Sequence, residues 1–259
     1  MRLLSVRVLA LLCALTWLVL PGFGLIDLSV TWDPGWPVVL EASWGVFMTV
    51  LVGGSFLAVA VRPQRSAPAF VVLGVALSTM LAAAAAGLEW QLLGYVAVLA
   101  VELPVLFLAP GRERVLPVVR APWLPLVLVA LAGAVPWLVH AERMFRANRG
   151  DLGPLTSDVT MSVDHFAVQG ALAVALVVLS VAAAVWPRGR RHLGLATGMC
   201  AGYVGLVSYA FPTSWAGFGP LWSVLCMAWA ATIAVLAVAA PRLQQRQLRG
   251  EVVEAQRAL

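Results

Sequence analysis

Stacked apolar runs, each long enough to cross a bilayer and separated by turns that carry arginine and no lysine, leave this chain one class of fold. The runs cover approximately 8–26, 38–61, 69–88, 91–109, 123–140, 163–186, 193–211 and 219–240. A spanning helix needs about 20 predominantly apolar residues. None of the runs shows the period-two alternation of a membrane β-strand. Charged residues make up 11% of the 259 positions, against about 25% in soluble domains. The bilayer must therefore solvate most side chains, and helices satisfy their own backbone there. The expected fold is all-α: a polytopic transmembrane bundle of eight helices in one domain over 1–241, with a cytoplasmic tail over 242–259.

The arginines set a direction. With the N-terminus inside, inner segments hold fourteen of the 17 Arg, and outer segments hold only Arg143, Arg146 and Arg149. That asymmetry follows the positive-inside rule and predicts that both termini lie inside. The outer segments are acidic, with Asp27, Asp33, Glu41, Glu89, Glu142, Asp151, Asp158 and Asp164, and several Trp stand near span ends as an interfacial belt. Two outer loops, 27–37 and 141–162, contain Gly, Pro and Asp and read as turns. The first apolar run resembles a signal peptide in its Arg2 and Arg7, but Pro21-Gly22-Phe23-Gly24 lacks a small-x-small cleavage site, so it reads as the first span.

Both halves share one loop rhythm, and Ala60-Val61-Arg62-Pro63 parallels Ala184-Val185-Trp186-Pro187. A 4+4 parallel pseudo-repeat would have its axis along the membrane normal. Any apolar helices joined by Arg-Pro turns would look similar, so both alternatives stand.

Three groups of residues attract functional readings. Glu102 falls in the fourth run beside Pro104. A carboxyl at the bilayer centre costs roughly 2.5–3.5 kcal/mol on insertion scales, and a proline bends its helix. Such a residue serves either as a proton or cation site or as a protonated packing partner. Tyr203 and Ser208 in the seventh run offer it polar company. Second, His165 and Gln169 share a helical face, with Asp164 before them and His140 and Glu142 at the end of the fifth run. This outer polar cluster is either an interfacial cap or a divalent-metal site built on His140 and His165, although no recognised ligand spacing is present and no metal or other cofactor is expected. Third, Gly194, Gly198 and Gly202 form a strip at four-residue spacing that favours close helix packing.

Other features are bland. Cys13, Cys200 and Cys226 lie in apolar runs without a Cys-x-x-Cys. His192 sits in a basic inner turn. Glu142 and Arg146 have the Glu-x-x-x-Arg spacing of intramembrane CAAX-type proteases, but without the paired Glu or helical His motifs. The absence of lysine excludes a retinal Schiff base and a Walker lysine. The net charge of +5 lies in topology-setting turns, so no nucleic-acid partner is expected; the partners are the lipid bilayer and, in one reading, another membrane subunit.

The segment 163–172, Val-Asp-His-Phe-Ala-Val-Gln-Gly-Ala-Leu, and the later Trp186-Pro187-Arg188-Gly189-Arg190-Arg191 give the chain its look. It resembles uncharacterised eight-span membrane proteins of high-GC Gram-positive bacteria. That resemblance implies a bacterial plasma-membrane setting and no particular activity. Three functions follow as expectations: a proton- or cation-linked carrier or small-ligand-binding bundle using Glu102, a non-catalytic assembly factor or accessory subunit, and a metal-dependent enzyme with an outward-facing His/carboxylate site.

Overall fold

A computed structural model describes residues 2–104, 108, 122–153 and 165–257, with side chains placed as far as residue 239. Among the described residues the chain is all-helical. The helices are α1 (Arg2–Leu18), α2 (Gly24–Val30), α3 (Val38–Val46), α4 (Gly54–Val61), α5 (Ala67–Gly87), α6 (Leu92–Glu102), α7 (Leu124–Asn148), α8 (His165–Val185), α9 (Arg190–Ala210) and α10 (Pro220–Arg257). Among the described residues, six stretches are long and apolar enough to cross a membrane: Val38–Val61, Ala67–Gly87, Leu124–Asn148, His165–Val185, Arg190–Ala210 and Pro220–Ala239. Leu3–Leu18 and Leu92–Glu102 are shorter apolar helices.

The first apolar run does not continue as one helix. Residues 19–22, which include Pro21 and Gly22, form a turn after α1, and Phe23 takes a left-handed conformation with φ 55°. The chain turns back there and α2 begins, so Asp27, expected in a turn-rich loop, stands in the first turn of a short helix. The Trp44 indole N–H donates to the Gly22 carbonyl at 2.8 Å and ties this turn to α3.

A π-helical stretch over Phe47–Gly53 connects α3 to α4 within one continuous span. Thr49 Oγ1 donates back to the Gly45 carbonyl at 2.6 Å, a bond that competes with the regular ladder. Such bulges collect at functional sites. Gly45 also admits α2: a Cβ there would stand 2.8 Å from Leu28 Cδ2 and 3.0 Å from the Leu28 backbone N. This close approach sets Asp27, the neighbour of Leu28, over the first turn of α3.

The fifth span runs two turns further than the sequence suggested, through Glu142 and Arg146 to Asn148. Ala141-Glu142-Arg143-Met144 is built mostly of strong helix formers. Asn148 then locks three elements together. Its Nδ2 donates to the Gly87 carbonyl and to Glu89 Oε2, both at 3.2 Å, and its Oδ1 accepts from the Ala167 amide of α8 at 3.2 Å. The end of α5 and the start of α8 are thus capped by one side chain.

The glycine strip of α9 packs against α10. A Cβ at Gly194 would lie 2.3 Å from Ala237 Cβ, and one at Gly198 would lie 2.9 Å from the Ala230 carbonyl. Gly202 faces the same helix, 3.6 Å from Ala230 Cβ on the same construction. The tail after 240 continues α10 as a single helix to Arg257.

Arg190 departs most from expectation. Placed in a basic inner turn by its sequence, it is 2% exposed. Its guanidinium donates to the carbonyls of Ala183 and Ala184 at 3.0 and 3.2 Å and lies 5.5 Å from the Trp123 ring. The last carbonyls of α8 lack intrahelical donors, and this arginine supplies them while its cation complements the helix terminus.

Candidate cation site

Three helix starts meet at one end of the bundle. α3 packs against both α2 and α8, which brings Asp27, Glu41 and His165 together. One ligand atom from each lies within 4.8 Å of the other two. Glu41 and His165 are buried at 4% and 8% exposure, and Asp27 is partly buried.

The polar atoms of this cluster are poorly satisfied. His165 Nε2 lies 3.2 Å from Glu41 Oε2, yet the alignment is not that of a hydrogen bond, and both ring nitrogens of His165 remain without a partner. Asp27 Oδ2 is likewise buried and unpartnered. Leaving a buried polar atom unsatisfied costs about 1–3 kcal/mol. Burial, and then the neighbouring Glu41 carboxyl, pushes the Asp27 carboxyl up to about 8. Two carboxyls compete for one small volume, and a bound cation relieves both problems at once.

The donor set suits a borderline divalent ion. Imidazole nitrogen and carboxylate oxygen bind Zn2+ and its first-row neighbours. Two carboxylates neutralise a charge of two. Ligand atoms around a tetrahedral Zn2+ stand about 3.4 Å apart, so small side-chain rotations close the observed arrangement.

An aromatic row leads inward from the cluster. The Trp44 ring lies 4.7 Å from the His165 ring, Tyr95 lies 5.3 Å from Trp44, and Trp17 lies 6.3 Å from Tyr95. The Trp17 indole N–H then donates to Glu102 Oε2. Glu102 is the last residue of α6, and residues 105–107 beyond it lie outside the described residues.

The outer cluster read from the sequence divides. His140 and Gln169 meet, with 2.9 Å between their Nε2 atoms, and Gln169 Nε2 also donates to the Ala216 carbonyl at 3.2 Å. His165, one turn from Gln169 on α8, faces Glu41 and Asp27. Glu142 is exposed and stands 3.7 Å from Arg149. Asp164 lies outside the described residues. The polar company expected for Glu102 also takes other partners: Tyr203 accepts from the Trp32 indole at 3.1 Å, and Ser208 is buried with its hydroxyl unpartnered. α6 packs mainly on α5, whereas α9 packs on α10, α8 and α3.

Sequence reasoning missed Asp27 and Glu41 as site residues. Both were counted among the outer acidic residues, and the usable signal was the position of a carboxyl at the start of an apolar run, four residues before Gly45.

Comparisons with protein-family models, with curated proteins and with solved structures find no match. Fold and site define only a class: a multi-pass helical membrane bundle with a buried His/carboxylate cluster at one end.

Proposed function

We propose that this chain is a cation-linked membrane carrier whose cation site is Asp27, Glu41 and His165. The observation that carries the reading is the convergence of three ligand atoms within 4.8 Å, two of them on residues buried in an apolar bundle. Glu102 becomes a second acidic station, joined to the first by the row of Trp44, Tyr95 and Trp17.

The proposal includes eight crossings with both ends inside, in a bacterial plasma membrane. The six long helices leave α1 and α6 as the remaining two. α1 measures about 26 Å at 1.5 Å per residue. The distribution of Arg supports the direction. A 4+4 repeat draws support from pairing: α7 packs on α8 and α9 on α10, while α1 packs on α4 and α5 on α6.

The test is Co2+ and Zn2+ titration of the purified full chain, followed by uptake into proteoliposomes. The carrier reading expects one ion bound per chain, uptake above empty vesicles, and loss of both in Glu41→Gln. No binding by a folded protein would sink it. Binding without uptake favours the second reading, a metal-dependent enzyme, which rests on the three-ligand set: catalytic zinc sites combine three protein ligands with one open position.

A further inference from the structure

A cleft of about 640 Å³ runs between α7 and α10, away from the Asp27 cluster. Ligand pockets fall in the range of about 300–1,000 Å³. Its walls are apolar and aromatic, with Trp137, Phe218, Trp222 and Trp229 among them. Trp229 forms a fixed wall because its indole N–H donates to the Val129 carbonyl at 2.8 Å. Gly133 makes room for that ring: a Cβ there would fall 2.3 Å from Trp229 Nε1. The cleft also opens sideways, since Val135, Val139 and Trp222 are 69%, 65% and 57% exposed. On a helix this apolar, the open side faces hydrocarbon.

The cleft is polar at one end only. His140 and Arg143 line it there, one turn apart on α7. Gln169 Nε2 must donate, because it faces the Ala216 carbonyl. Its second contact therefore makes His140 Nε2 an acceptor, and the ring proton sits on Nδ1 as a neutral donor. Arg143 is exposed, and among the described residues no carboxylate forms an ion pair with it. From Ala132 to Arg143 the lined face of α7 is about 16 Å long at 1.5 Å per residue. A hydrocarbon chain fits that length, with an anion at the Arg143 end.

We propose that this cleft binds an anionic phospholipid of the surrounding membrane, one acyl chain lying between α7 and α10 and its phosphate held by Arg143 and the His140 Nδ1–H. Charge complementarity selects the lipid. A zwitterionic headgroup would bring its own cation towards the guanidinium, whereas phosphatidylglycerol brings a phosphate and neutral hydroxyls. Free phosphate has nothing to gain from the aromatic walls.

The experiment is native mass spectrometry of the full chain released from nanodiscs of equal phosphatidylglycerol and phosphatidylcholine. The expected result is retention of one phosphatidylglycerol about tenfold over phosphatidylcholine, falling to near parity in Arg143→Ala. Arg146→Ala, one turn on and outside the cleft, should keep the preference. Ala132→Phe, which fills the apolar end and leaves Arg143 in place, should reduce retention of both lipids and covers the case in which Arg143→Ala does not fold. Equal retention of the two lipids by the unaltered chain would overturn the proposal. So would an equal loss in Arg143→Ala and Arg146→Ala, which would reduce Arg143 to a general headgroup contact, or unchanged retention in Ala132→Phe.

Discussion

His165 Nε2 stands 3.2 Å from Glu41 Oε2 without the geometry of a hydrogen bond. Such an approach between two buried groups, each with capacity left over, is what a third species completes. Asp27 supplies the other side of the same small volume.

Glu41→Gln separates the charge of the site from its packing. The amide keeps the shape and removes one of two crowded carboxyls, so the metal-free protein should hold or raise its melting temperature. Zn2+ should stabilise the unaltered chain by about 2.7 kcal/mol at a hundredfold excess over Kd, and that gain should vanish in the variant. Thermal denaturation in detergent, with and without Zn2+, reads both effects. A lower melting temperature in metal-free Glu41→Gln would count against the crowded-carboxyl description.

Asp27 gives the site a pH dependence of definite sign. Its folded value, about 8, lies above the ordinary carboxylate value of 3.8. The stability it contributes is fully present below about pH 4 and is lost as pH rises through 8. The metal-free protein should therefore lose melting temperature from pH 5 to pH 8, less steeply in Asp27→Asn. Metal ligands must be deprotonated, so Zn2+ affinity should change in the opposite direction and rise over the same interval.

Arg190 is the cap of α8, and Arg190→Met keeps much of its bulk without its donors. The Ala183 carbonyl then loses its side-chain donor, while the Ala184 carbonyl keeps only the Trp123 amide at 3.2 Å, for a loss of about 1–3 kcal/mol. Arg190→Lys should recover only part, because a single ammonium does not reproduce the planar fork. Chemical denaturation of the three proteins ranks them.

Gly198 meets the backbone of α10. Gly198→Leu forces α9 away from Ala230 and Ala234, with an expected loss of about 1–3 kcal/mol from overpacking. Gly74, against which a Cβ would meet nothing within 4 Å, is the control: Gly74→Leu should leave stability nearly unchanged. Size-exclusion profiles after heating distinguish the two.

Trp17 and Glu102 are coupled across the bundle. A hydrogen bond between neutral side chains contributes about 0.5–1.5 kcal/mol net. A double-mutant cycle of Trp17→Phe and Glu102→Gln should show a coupling of roughly that size, and additive effects would mean that the bond contributes nothing to stability.

Much of the scaffold could be read along the chain. Six of the apolar runs became helices long enough to span, because period and length are local properties. Gly194, Gly198 and Gly202 were legible for the same reason, since four-residue spacing puts them on one face of one helix. The site was not. The sequence grouped His165 with Asp164, Gln169 and His140, its neighbours along the chain and at the same predicted level. Gln169 and His140 do meet, but His165 turns to Asp27 and Glu41.

The amino-acid order by itself determined an all-helical chain with apolar membrane-length segments and a glycine seam, because hydrophobicity and helical period act within a few residues. Only the tertiary structure decided which carboxyls meet His165, where Arg190 is spent, and that a cleft opens beside Trp229. Those outcomes depend on the turn at Pro21-Gly22, on Leu28 seated against Gly45, and on Asn148 joining α5 to α8. Each is a contact between segments distant in the chain, and its geometry is fixed by packing that no local pattern records.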